Sequence, residues 1–176
     1  MNIGDLLVRN ANKFPHKTAV VAETRSFSFR ELNDRVNRLA NSLLDSGLRK
    51  GDRIGVLVHN GYPFLEIYFA SAKTGAIFCP YNNHFKQSEL KDILDYSTPK
   101  YLFVDSDFVD MVSSLKPELK SVENYVCLEK TSLPFMDDYE SLIARGRGEE
   151  PMTKVLEDDA LSIIFTEAPP GNRKAP

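Results

Sequence analysis

The chain has 176 residues, 42% of them hydrophobic and 27% charged, with a formal net charge of −3; that suffices for one domain with a real core, or for one lobe of something larger. The charge balance offers no basic face to nucleic acid, no apolar run approaches the ~20 residues of a membrane span, and Met1-Asn2-Ile3-Gly4-Asp5 does not open a secretory leader. Cys79 and Cys127 stand far apart and outside any ligand spacing, as expected of reduced thiols in a cytoplasmic protein.

In chain order, Ile3, Leu6, Leu7, Ala11 and Phe14 recur at helical spacing and Pro15 stops the helix. A short strand at residues 19–22 pairs with 26–29 as a hairpin. The next helix starts at Ser28 with Glu31 three residues on, a capping box; Leu32, Val36, Leu39, Ala40, Leu43 and Leu44 form its stripe and Gly47 its left-handed stop. Residues 53–58 read as a buried parallel strand. Pro63 suits the first position of a helix that turns Phe64, Ile67, Tyr68 and Ser71 inward and ends at Gly75. Then come a strand at 77–79, a helix marked by Leu90, Ile93 and Leu94 and closed by Pro99, and a strand at 101–104. A helix with Phe108, Met111, Val112 and Leu115 follows, then a strand at 125–128, a looser stretch at 135–147 with a helical turn or more, and a last strand at 161–165. Strands alternating with helices of this length predict an α/β fold, a mostly parallel sheet flanked by helices. Gly146 to Pro151 is the best linker candidate, with a mild shift in composition.

Three stretches in order resemble the adenylate-forming (AMP-binding) superfamily, on its acyl-CoA synthetase and long-chain fatty-acid–CoA ligase branch. Ser28-Phe29-Arg30-Glu31-Leu32, running on to Gly51-Asp52-Arg53-Ile54-Gly55-Val56, is similar to the family's T-Y-x-E-L … G-D-x-V-x-V opening. Ala70 to Asn82 resembles A-x-x-K-x-G-A-x-x-x-P-x-N, and Asn82 points to the acyl-CoA synthetase branch because peptide-synthetase domains usually carry aspartate there. Ala160 to Ala175 lies where the family has a strand and glycine-rich phosphate loop. The resemblance implies the N-terminal lobe of a large domain acting on a carboxylic acid with ATP, Mg²⁺ and CoA. An acyl-adenylate and pyrophosphate form first, and the CoA thiol then displaces AMP.

The loop departs from the family pattern. Thr166-Glu167-Ala168-Pro169-Pro170-Gly171-Asn172-Arg173-Lys174-Ala175 replaces T-G-G-T-T-G-x-P-K-G, so that only Thr166, Gly171 and Lys174 still match as candidate ATP-binding remnants. Backbone N–H groups cradle phosphate where glycines allow close approach; Pro169 and Pro170 have no N–H, and Glu167 sets a negative charge beside a triphosphate. One set of codons for Thr-Gly-Gly-Thr-Thr-Gly-Lys-Pro-Lys-Gly-Ala, read with a single G removed after the first codon, yields Thr166 to Pro176 residue for residue. Chance agreement at the positions fixed by the family pattern is on the order of 10⁻⁴. Residues 1–165 therefore read as a partial AMP-binding domain and 166–176 as an out-of-frame tail, in a chain expected to be inactive alone. A non-catalytic module that self-associates through exposed apolar surface is the rival reading. A separate nucleotide-binding domain finds no G-x-G-x-x-G after any strand.

Other candidates have simpler explanations. Ser28 and Glu31 cap a helix rather than form a catalytic pair. Lys73 near a helix end meets the dipole. Asp137-Asp138 and Asp158-Asp159 read as solvated surface or caps. His16, His59 and His84 have no metal spacing, and no serine or cysteine stands in a nucleophile motif. His59, His84, Asn82 and Asn83 follow strands near the sheet's carboxyl edge, where such folds bind ligands; this makes them weak pocket candidates.

Overall fold

The computed structural model describes residues 2–23 and 25–165. Helix α1 (Ile3–Lys13) opens on a capping box between Asn2 and Asp5. Strands β1 (Thr18–Val21) and β2 (Ser26–Ser28) form the expected antiparallel hairpin, separate from the main sheet. Helix α2 (Phe29–Asp45) starts as its sequence requires: the Glu31 amide donates to Ser28 Oγ at 3.3 Å, and the Ser28 amide to Glu31 Oε2 at 2.8 Å.

The main sheet is parallel throughout, in the order β4-β3-β5-β6-β7, with β3 Arg53–Leu57, β4 Ile77–Pro80, β5 Tyr101–Val104, β6 Asn124–Cys127 and β7 Met136–Asp138. The crossovers are α3 (Tyr62–Thr74), α4 (Gln87–Ser97) and α5 (Val109–Leu115), the last entered through a 3₁₀ turn at Ser106–Phe108; α6 (Tyr139–Arg145) follows β7. Pro63 is the second residue of α3, because Gly61 takes the cap, and Gly75 ends the helix at φ 70°.

Strand alternation sorts the core into two halves. Ile54, Val56, Tyr101 and Phe103 pack with α1, α2, α3 and α6, whereas Leu57, Leu102 and Val104 pack with α4 and α5. Gly55 interrupts the apolar run of β3 because a Cβ there would stand 2.7 Å from the Tyr81 ring. The Tyr81 hydroxyl pairs with Ser97 Oγ at 2.7 Å.

One charged group is fully enclosed. Glu66, on α3, has no exposed surface and accepts from Arg35 Nε of α2 at 2.5 Å and from the Tyr139 hydroxyl of α6 at 2.7 Å. Arg35 also donates to Glu140 at 2.9 and 3.0 Å. Burial by itself lowers the Arg35 pKa, but the bonds to both carboxylates outweigh it and hold the guanidinium charged.

The helical turn expected within 135–147 is α6, whose N-cap Asp138 accepts from the Ser141 amide at 2.8 Å, and the short strand β7 precedes it. Two expectations need correction. The strand at 161–165 reduces to a single bridge, Ser162 beside Phe78: the stretch lies along the outer side of β4, and Ile164 stays exposed. Gly146 to Pro151 is not a free linker. Asn37 Nδ2 donates to the Gly148 carbonyl at 2.9 Å, and Asn41 Nδ2 to those of Arg147 and Glu149 at 2.9 and 2.8 Å.

Gly146 is where this segment meets α2 most closely: an added Cβ would sit 1.8 Å from the Arg38 carbonyl oxygen. Neither backbone can yield cheaply, so Gly146→Ala is expected to cost about 2–3 kcal/mol. A lower urea midpoint at unchanged m-value is the readout.

Candidate functional site

Strand order locates the crevice. From β3 the chain goes to β4 on one side and then to β5 on the other, so the connections diverge between the carboxyl ends of β3 and β5. Ligands of open α/β sheets bind at such a switch point. The residues just beyond β3, β4, β5 and β6 converge there: His59, Asn82-Asn83, Asp105 and Glu129.

Their contacts form a chain of polar links. The His59 backbone amide donates to Asp105 Oδ2. Asn83 Nδ2 lies 3.0 Å from His59 Nδ1; with the amide donating, the imidazole proton sits on Nε2, which faces Asp107 Oδ2 at 3.4 Å. The imidazole lies against the Phe108 ring, centroids 5.3 Å apart. Glu129 Oε2 accepts from the Ser106 amide at 2.9 Å, and Asn82 Oδ1 from the His84 amide at 2.9 Å. Burial raises the Asp105 carboxyl above the usual range; the His59 amide pulls against it, while the charges of Glu129 and Asp107 add to the rise. The His59 ring is about half exposed, available to a ligand at the edge.

The structure thus brings together His59 and Asn83, which the sequence singled out, and adds Asp105, Asp107 and Glu129, which it did not. Asp105 had a readable signal: an acidic residue directly after the buried strand Tyr101-Leu102-Phe103-Val104 stands at a carboxyl edge. His84 is exposed beyond β4 and His16 in the turn between α1 and β1. Among the described residues no three His, Cys, Asp or Glu gather to hold a metal. Burial pushes the Cys79 thiol up to about 12, which disfavours the thiolate a nucleophile needs.

The other candidates take structural places. Lys73 stands in the last turn of α3, as expected, and is buried there against Asn33, Asn37 and Glu150. Asp137 pairs with Arg145 at 2.8 Å, and Asp159 Oδ2 accepts from the Leu156 amide at 2.6 Å. An open hollow of about 640 Å³ beside the start of α2 is lined by Arg25, Arg30 and Arg35 among others, but Arg25 and Arg35 are already paired to Glu140.

Thr166, Gly171 and Lys174 lie outside the described residues. The approach to them is visible: the Phe78 amide donates to the Leu161 carbonyl at 2.9 Å and the Ile163 amide to the Phe78 carbonyl at 3.0 Å. The bridge is parallel, so the chain runs along the outer side of β4 toward the same carboxyl edge. Phe165 ends beside the rings of Tyr81 and Tyr96, centroids 6.1 and 6.0 Å away.

Comparison with known proteins gives the family and the fold. The AMP-binding enzyme family matches residues 7–167. A crotonobetaine/carnitine–CoA ligase of Escherichia coli O127:H6 (strain E2348/69 / EPEC) is 32% identical over 166 residues, which cover 89% of this chain and 32% of that protein. The fold superposes on the anthranilate CoA ligase AuaEII, solved in complex with anthranoyl-AMP, with a TM-score of 0.94 at 23% identity over 99% of this chain and 34% of the other. It superposes on the N-terminal domain of FACL13 from Mycobacterium tuberculosis with a TM-score of 0.87 at 24% identity, over 99% of this chain and 43% of that one. The chain thus spans about a third of the length of the ligase relative.

The bond from the His59 amide to Asp105 separates a structural from a chemical role for the carboxylate. Asp105→Ala leaves that amide unpaired and should cost about 1–3 kcal/mol. Asp105→Asn keeps an acceptor and should cost under about 1 kcal/mol. Urea unfolding of the two variants at neutral pH measures the difference.

Proposed function

The chain belongs to the AMP-binding enzyme family, and on that premise we propose that it is the amino-terminal portion of an ATP-dependent acyl-CoA ligase that is inactive alone. The observation that carries this reading is the family match along residues 7–167, together with relatives that are CoA ligases. The intact reaction joins a carboxylic acid to the ATP α-phosphate with loss of pyrophosphate and then passes the acyl group to the CoA thiol, with Mg²⁺ offsetting phosphate charge. In this chain the switch-point crevice with His59, Asn83 and Asp105 would form one wall of the active-site cleft. It lies at the edge toward which Ile163–Phe165 runs.

The residues of the phosphate loop do not fit a triphosphate. Pro169 and Pro170 supply no backbone donor, and Glu167 adds like charge. We read residues 166–176 as an ordinary loop translated out of frame, in a protein of the cytoplasm with no nucleic-acid partner. No described helix is long and apolar enough to cross a membrane.

Two measurements test the reading. Calorimetric titration with MgATP should give no saturable binding in the micromolar range; saturable binding would count against inactivity. Sequencing the coding DNA across codon 167 should reveal the intact glycine-rich motif in the adjacent frame, and its absence there rules out the frame shift.

A second reading has its own support. Tyr96 and Ile164 are each 59% exposed, and the segment carrying Ile164 lies beyond β4 at the uncovered side of the sheet, where apolar surface favours association. A non-catalytic, self-associating module should show concentration-dependent mass in size exclusion with light scattering. A constant monomer mass removes this alternative.

A further inference from the structure

After Gly146 the chain changes character. From Arg147 through Phe165 no residue is buried, and between α6 and the bridge at Ser162 there is no regular helix or strand. Met152 and Leu156 point their apolar side chains outward. A crevice of about 330 Å³ separates Val155 and Leu161 from Ile3 and Ala72 on the body. Only the segment's end, where Ile163 and Phe165 lie against the core, has apolar packing; the stretch before the bridge at Ser162 lacks this usual source of cooperativity with the core.

Side-chain clamps hold that stretch instead, and most of them grip its backbone, while Lys50 Nζ also pairs with Asp159 Oδ2 at 2.5 Å. Asn37 and Asn41 of α2 hold the carbonyls of residues 147–149. Lys50 Nζ donates to the Lys154 carbonyl at 3.3 Å and Asn2 Nδ2 to that of Val155 at 3.2 Å. Such bonds are individually modest, since water replaces them when the segment lifts.

One clamp differs in kind. Lys73 Nζ, with 4% of its side chain exposed, has three acceptors: Asn33 Oδ1 at 2.7 Å, Asn37 Oδ1 at 2.6 Å and Glu150 Oε2 at 2.6 Å. Glu150 in turn accepts from Asn33 Nδ2 at 2.7 Å and Asn37 Nδ2 at 3.0 Å. The asparagines and the lysine belong to the body; only Glu150 belongs to the segment. When Glu150 leaves, the buried ammonium loses its bonded counterion, which costs far more than losing a carbonyl on the surface.

We propose that residues 147–165 form a strap that lifts from and re-docks on the folded body as a unit, with the Lys73–Glu150 ion pair as its latch. The strap carries the chain to Thr166, so the latch governs how firmly that point of entry is held against β4. These contacts stand whether or not the chain is part of a ligase.

Hydrogen exchange on the full chain tests the latch. Glu150→Gln keeps the shape and removes the charge, Lys73→Met removes the buried cation, and Glu149→Gln changes net charge one position away with the cage intact. In Glu150→Gln, amides of residues 148–163 should exchange at least tenfold faster, while those of β3 and β5 keep their wild-type rates. Lys73→Met should release the same amides, and Glu149→Gln should leave them within twofold of wild type. Unchanged strap rates in Glu150→Gln, an equal rise in β3 and β5, or the same acceleration in Glu149→Gln would each overturn the proposal.

Discussion

A carboxylate without solvent is the constraint on which one face of this fold is built. Glu66 sits on α3, its guanidinium partner on α2 and its phenol partner on α6. Enclosing a charge costs several kcal/mol unless it is paired and hydrogen-bonded. Removing one partner of such a pair typically costs about 3–5 kcal/mol. The three helices are therefore tied to one relative arrangement by more than apolar contact, which is tolerant of sliding. The burial that raises the Tyr139 hydroxyl far above its ordinary pKa, with the Glu66 charge adding to it, also keeps that hydroxyl a donor.

Helix α2 is where this constraint spreads. Its apolar stripe, with Leu32, Val36, Leu39 and Leu43, closes the core. Asn33, Asn37 and Asn41 follow a four-residue spacing along another face and grip the chain after α6. Asparagine is a poor helix former but an apt clamp, because its amide offers donors and an acceptor at once. One helix thus fixes both the core and the path by which the chain runs on from α6.

Much of this was legible. The apolar periodicities placed five helices and short apolar runs the first four parallel strands, because both are local properties of the sequence. The capping box at Ser28 and Glu31 was legible for the same reason. What escaped notice depends on partners distant in sequence. Glu66, Lys73 and Glu150 look like surface charges until α2, α3 and the chain after α6 are brought together. β7 escaped because an edge strand of three residues, two of them aspartates, carries no alternation to read. At the switch point, His59 and Asn83 stand out as polar residues after apolar strands, and Asp105 obeys the same rule. The mismatch of Thr166–Pro176 with a glycine-rich loop was readable only because a family pattern supplied the expected residues.

The bond from the His59 amide to Asp105 bears on how such an edge can diversify. The carboxylate holds the main chain at position 59, not the imidazole. Loop shape and side-chain chemistry are thereby uncoupled: any residue that retains an N–H there can keep the loop in place, and proline alone is barred outright. The ring at position 59 can then be exchanged for another polar or apolar group with the scaffold beneath it left unaltered.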